Sequence, residues 1–100
     1  MYHPLPECVT IKRSKIHGFG LFAKGDIPKN TILGISHIYT DIKVFPHNYI
    51  RTPLGAFYNH SENPNCRLDD YTNGTMKFLV AIRDISIREE LTCKYILYKV

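Results

Sequence analysis

A mostly β domain of many short strands is what this sequence predicts, and three observations carry the prediction. The strongest hydrophobic period is two. Over residues 75–83, Met76, Phe78, Val80 and Ile82 alternate with Lys77, Leu79, Ala81 and Arg83, the pattern of a strand buried mainly on one face. Asn73-Gly74, the strongest short hairpin signal, separates this run from a second strand-like stretch at 66–71. No segment sustains the 3.6-residue stripe of a helix.

The remaining elements follow in chain order. Val9 and Ile11 alternate with Thr10 and Lys12 in a short first strand. Gly18-Phe19-Gly20 then sits in a loop between two strands. Glycines there allow positive φ and close backbone approach to a ligand. The run neither opens a helix nor continues to G-x-x-G, so the dinucleotide fingerprint is absent. Residues 31–39 are β-branched and aromatic, with Gly34 marking a bend or bulge. Residues 41–50 are the one place for a turn or two of helix, interrupted by Pro46.

An apolar approach at 54–58 leads into Asn59-His60-Ser61-Glu62-Asn63-Pro64-Asn65-Cys66. A surface turn is the plain reading of that segment. It is also how a chain threads a buried loop, with side-chain amides satisfying backbone groups or holding a polar ligand. Residues 89–95 end the fold as a capped strand, with Tyr95 and Tyr98 as core or rim aromatics. Finally, Ala23-Lys24-Gly25-Asp26-Ile27, then Lys29-Asn30-Thr31-Ile32, is echoed by Ala81-Ile82-Arg83-Asp84-Ile85, then Arg88-Glu89-Glu90-Leu91 one residue later. Duplication and reuse of β-turn residues explain this echo equally well.

Length and composition bound the function. One hundred residues make one domain, 1–100, and 44% apolar with 22% charged residues is a globular composition. No apolar run approaches the ~20 residues of a membrane span, and the N-terminus lacks the order of a signal peptide. A net charge of +4, spread along the chain, permits an acidic partner without demanding nucleic acid. Cys8, Cys66 and Cys93 are odd in number and far apart, which favours reduced thiols inside the cell over a disulfide framework. The five histidines are scattered, so no metal site is expected.

Taken in order, three segments resemble the SET domain of protein lysine methyltransferases. They are I-H-G-F-G-L-F-A-K-G-D-I-P-K-N, G-A-F-Y-N-H-S-E-N-P-N-C and A-I-R-D-I-S-I-R-E-E-L-T-C-K-Y. The likeness covers residues 8–98, and the chain has the size of the minimal viral SET proteins. The most specific element is N-H-S-x-x-P-N, followed about thirty residues later by E-E-L-T-x-x-Y. The resemblance implies a β-clip fold of several small curved sheets, with a C-terminal segment threaded knot-like past the Asn-His loop. It implies that Gly18, Phe19 and Gly20 line S-adenosylmethionine. Asn59 then binds the cofactor's amino-acid end, His60 meets its adenine through main-chain groups, and Tyr95 is the catalytic tyrosine.

The implied chemistry suits these residue types. A lysine of pKa about 10.4 must be deprotonated near neutral pH, a deficit of roughly 4 kcal/mol. A sulfonium at the end of an apolar channel disfavours the ammonium and so lowers that pKa. Methyl transfer then depends on positioning rather than on a metal or a nucleophilic triad.

Departures from the family pattern set further expectations. The chain ends five residues after Tyr95, without the cysteine-rich zinc segment of many relatives. Tyr98 is then left to cover the site, and a homodimer burying Ile96, Tyr98 and Val100 is expected. Arg88 stands where the family has a turn glycine, its counterpart being Asn30, so that connection is expected to be reshaped. Cys93 replaces a commonly aromatic residue and leaves the methylation degree open. The short stretch at 40–52 prevents transfer of substrate choice from relatives. Two rival readings are a SET-fold module that binds peptide or cofactor without turnover, and a small basic β-barrel for nucleic acid. The latter lacks a clear basic and aromatic stripe.

Overall fold

A computed structural model of the chain describes residues 5–39, 49–70 and 75–94. In order, the elements are β1 (Val9–Arg13), β2 (Phe19–Ala23), β3 (Ile32–Tyr39), β4 (Tyr49–Arg51), α1 (Pro53–Phe57), β5 (Asn59–His60), β6 (Cys66–Asp70), β7 (Met76–Ala81) and β8 (Glu90–Cys93). They form two four-stranded sheets, ordered β1-β2-β8-β5 and β4-β3-β7-β6. All pairs are antiparallel except β5 with β8, which run parallel with Asn59 opposite Thr92 and His60 opposite Cys93. That pairing lays the last described strand along the Asn-His segment.

Facing side chains of the two sheets fuse into one core that includes Leu21, Ala23 and Leu91 from the first and Cys66, Leu79 and Ala81 from the second. Each large member removed from water contributes about 1.5–3 kcal/mol. The mostly β expectation holds, and so does the bulge in β3, where the register with β7 shifts between Ile32 and Gly34 and Gly34 has φ 143°.

Four expectations need correction. First, β7 is not buried on one face alone: Leu79, Val80 and Ala81 are consecutively buried, because β7 is an inner strand paired on both edges and the core closes over its C-terminal end. Second, the described helix is one turn at Pro53–Phe57, and Tyr49 and Ile50 belong to β4. Residues 41–48, the rest of the expected helix, lie outside the described residues, as does the Asn73-Gly74 turn. Third, Phe19 and Gly20 are not loop residues but open β2, where they pair with Arg13 and Lys12.

The fourth concerns the echo, which is a local two-fold clip. Ile27 and Ile85 exchange both backbone bonds at 2.8 Å. Arg88 N–H donates to Ala23 O and Asn30 N–H to Ala81 O, each at 2.8 Å. Ile87 N–H donates to Asp26 Oδ1 and Lys29 N–H to Asp84 Oδ1. The halves therefore match at a constant separation, Asn30 with Arg88, and the one-residue offset disappears. Both Asn30 and Arg88 have φ 73°. The Arg88 connection is not reshaped: the reciprocal bonds hold it in a left-handed conformation that costs an L-residue about 1–2 kcal/mol.

His37, fully buried on β3, ties fold to pH. Ser36 Oγ–H donates to Lys77 O, so the Ser36 oxygen accepts from His37 Nδ1–H at 2.9 Å. Burial, reinforced by the charges of Arg51 and Lys77, lowers its pKa from 6.5 to about 4. The folded state thus favours neutral imidazole. Its contribution is complete above pH 6.5 and is lost as pH falls from there toward 4. Between pH 7.5 and 5 the loss is about 2 kcal/mol. Urea titrations at the two pH values should resolve it, and His37→Gln should flatten the difference. An equal pH dependence in that variant would clear His37 of the effect.

Candidate functional site

Three segments far apart in sequence meet where β2, β5 and β8 adjoin. Ser14 closes the β1–β2 loop: its N–H donates to Gly18 O at 2.7 Å, and its Oγ accepts from Ile16 N–H at 2.9 Å. Its hydroxyl lies 2.8 Å from both carboxylate oxygens of Glu90, the first residue of β8. Asn59, 5% exposed at the start of β5, donates through Nδ2 to Glu90 Oε2 at 2.7 Å. The same nitrogen reaches His17 O at 3.2 Å and Phe19 O at 3.3 Å.

Gly20 is buried between them. A Cβ there would stand 2.2 Å from Glu90 Oε2 and 3.1 Å from Asn59 Nδ2. Gly18, at φ 48°, is exposed, with nothing within 4 Å of a Cβ position. Phe19 is 56% exposed, with the Arg13 guanidinium 6.0 Å from its ring centroid. The Nε2 of His60, half-buried, lies 2.8 Å from Glu62 Oε2.

A second layer holds β8 in place. Asn65, 1% exposed, accepts Thr92 N–H at its Oδ1 and donates from Nδ2 to Glu90 O, both at 2.8 Å. Its Nδ2 also reaches Glu89 Oε2 at 3.2 Å. Glu89 accepts Arg83 Nη2–H at 2.6 Å and Ser86 N–H at 3.0 Å. Burial pushes the Glu89 carboxyl up, but these donors outweigh it and hold its pKa below the ordinary value.

The structure thus gathers Gly18, Phe19, Gly20, Asn59 and His60, all singled out by sequence. Tyr95, and the tail residues Ile96, Tyr98 and Val100 of the expected dimer, lie outside the described residues. Ser14 and the individual role of Glu90 were missed. The two lie 76 positions apart, each among other polar residues, and no local period links them. Asn65 belongs to the segment whose amides were expected to serve backbone groups, and it does so.

The cysteines are free among the described residues. Burial raises Cys66 to about 12, helped by Cys93, and raises Cys93 itself to about 11. Iodoacetamide at pH 8 should therefore leave both unmodified in the folded protein, with at most Cys8 labelled by mass. Native labelling of Cys93 would contradict the packing around β8. No group of three or more His, Cys, Asp or Glu is placed to hold a metal ion among the described residues. No helix there is long and apolar enough to cross a membrane.

Comparison with known proteins gives a consistent result. The model of the SET domain family matches residues 35–96. A Halocynthia roretzi protein named histone-lysine N-methyltransferase SETD7 is 30% identical over 122 residues, covering 89% of this chain. A Mycosarcoma maydis histone-lysine N-methyltransferase described as H3 lysine-36 specific is 31% identical over 116 residues, covering 87%. The chain spans 32% and 12% of the lengths of these relatives. A crystal structure from Plasmodium falciparum, carrying a provisional histone methyltransferase name, superposes with a TM-score of 0.73 at 22% identity, covering 90% of this chain and 94% of that one.

Proposed function

The chain belongs to the SET domain family, and from that premise we propose that it transfers a methyl group from S-adenosylmethionine to a lysine side chain of a protein substrate. One observation carries the reading: the Gly18-Phe19-Gly20 and Asn59-His60 segments are joined directly through Asn59 Nδ2. The relatives' names point to protein lysine as the acceptor class.

The residues present suit the cofactor. Exposed Gly18 leaves its main chain open to close approach. Exposed Phe19 offers an apolar ring beside it. Asn59 and His60 lie in the adjoining strand β5, beside β8, and offer their main-chain groups to the adenine. When bound, S-adenosylmethionine supplies an electrophilic methyl on a sulfonium. Tyr95 orients the lysine amine through its hydroxyl, and the positive sulfonium nearby favours the neutral amine over the ammonium. Three free thiols fit a reducing compartment, and we place the protein inside the cell.

Calorimetric titration with S-adenosylmethionine should give saturable binding, and the thermal midpoint should rise with ligand. Labelled cofactor incubated with a cell lysate should then mark a protein band, with the label recovered as methyl-lysine. Saturable binding without transfer would favour the non-catalytic module. Failure to bind would remove the cofactor reading altogether.

A further inference from the structure

The carboxylate of Glu90 sits at the centre of the site, yet the reaction as described gives it no task. Its surroundings do. Every backbone carbonyl from His17 to Phe19 is engaged: those of His17 and Phe19 by Asn59 Nδ2, and that of Gly18 by Ser14 N–H. Ser14 and Asn59 in turn both donate to Glu90. The shape of the glycine segment is therefore fixed by the Asn59 side chain and the Ser14 backbone amide, and Glu90 holds the side chains of both residues. Gly20 has no side chain where Glu90 and Asn59 pass.

We propose that Glu90 is a positioning residue. Through Ser14 and Asn59 it clamps the Gly18-Phe19-Gly20 backbone against β5 and so sets S-adenosylmethionine affinity without touching the cofactor. This rests on the cofactor reading above. It also gives Asn59 a different job from the one its motif suggests: its amide braces the loop.

The chemistry of the clamp is directional. Two donors converge on one carboxylate, and one amide nitrogen faces a carboxylate and two carbonyl oxygens. A glutamine at 90 would present one neutral acceptor oxygen and an NH2 group, so the charged acceptor is lost. Ser14, whose oxygen already accepts Ile16 N–H, would have to reverse its hydroxyl. An aspartate at 59 would set carboxylate against carboxylate, a repulsion relieved only when the pair shares a proton.

Two variants and two readouts test this. Glu90→Gln should weaken S-adenosylmethionine binding by about 10- to 100-fold, the range for losing a hydrogen bond to a charged group. In the ligand-free protein it should also speed amide exchange at residues 16–20 relative to the β7 core. Asn59→Asp should bind poorly at pH 8 and regain affinity relative to wild type at pH 5.5, as the shared proton restores a donor. A residue that merely stabilised the fold would show no such pH reversal.

Wild-type affinity in both variants would overturn the proposal, as would unchanged exchange at 16–20 in Glu90→Gln. A deficit in Asn59→Asp that is equal at both pH values would also overturn it, since that marks direct contact between Asn59 and the cofactor. If Asn59→Asp does not fold, Glu90→Gln decides alone. A wild-type chain that binds no S-adenosylmethionine would defeat the cofactor reading itself, and the exchange rates would still judge the clamp.

Discussion

Gly55→Ala should lower the melting temperature by more than 10 °C, although alanine is ordinarily the better helix former. In an exposed helix the exchange gains about 1 kcal/mol. Here a Cβ at position 55 would stand 2.0 Å from the backbone oxygen of Ser36 and 3.1 Å from His37 Cε1. Neither can give way cheaply. Ser36 O already accepts Thr52 N–H at 2.9 Å, and Thr52 Oγ1 donates to Ile35 O at 2.6 Å, so the start of α1 is bolted to β3. To relieve the clash α1 would have to lift, carrying Leu54 and Tyr58 out of the core. The net cost should be about 3 kcal/mol or more, beyond typical overpacking because the obstacle is backbone. For a domain of this size each kcal/mol moves the midpoint by about 4–8 °C. Gly25→Ala, where a Cβ meets nothing within 4 Å, is the matched control and should melt within a degree or two of wild type. Equal melting of the two variants would show that α1 is not seated against Ser36.

Tyr95→Phe should divide chemistry from folding. The exchange keeps the ring and deletes only the hydroxyl proposed to orient the amine. Cofactor affinity and melting temperature should stay near wild type. The methyl-transfer step should lose on the order of 2–4 kcal/mol, about 10²–10³ in rate, because that bond counts in the transition state. Single-turnover methylation and a melting curve on one preparation decide the matter. Wild-type turnover in the variant would end the catalytic assignment, and parallel losses of rate and stability would mark Tyr95 as structural.

What was legible in the sequence was what repeats locally. Period two disclosed β7 but missed the burial of its far end on both faces, because sheet packing at Leu79–Ala81 is decided by residues elsewhere. Gly34 announced its own bulge. The helix at Pro53–Phe57 was invisible as a stripe, since one turn has too few residues to show a period. It was readable only in retrospect, from Pro53 at its first turn. At the site, the motif residues could be named because a known pattern contains them. The clamp could not: Ser14 and Glu90 mean nothing until β8 runs beside β2. Arg88 misled in the opposite sense. Its side chain argued against positive φ, and the reciprocal bonds to the other half of the clip prevailed.

That clip makes each half of the molecule the other's missing edge. Eight hydrogen bonds join the backbone and aspartates of the first half, from Ala23 to Thr31, to those of the second, from Ala81 to Glu89. None can form within a half, so a chain severed between them would yield two fragments with matching sets of unmet donors and acceptors. Neither fragment has a way to satisfy them alone except in water. Mixed together they should refold as a one-to-one complex, each serving as template for its counterpart, and the domain behaves as an internal heterodimer whose two partners happen to share a chain.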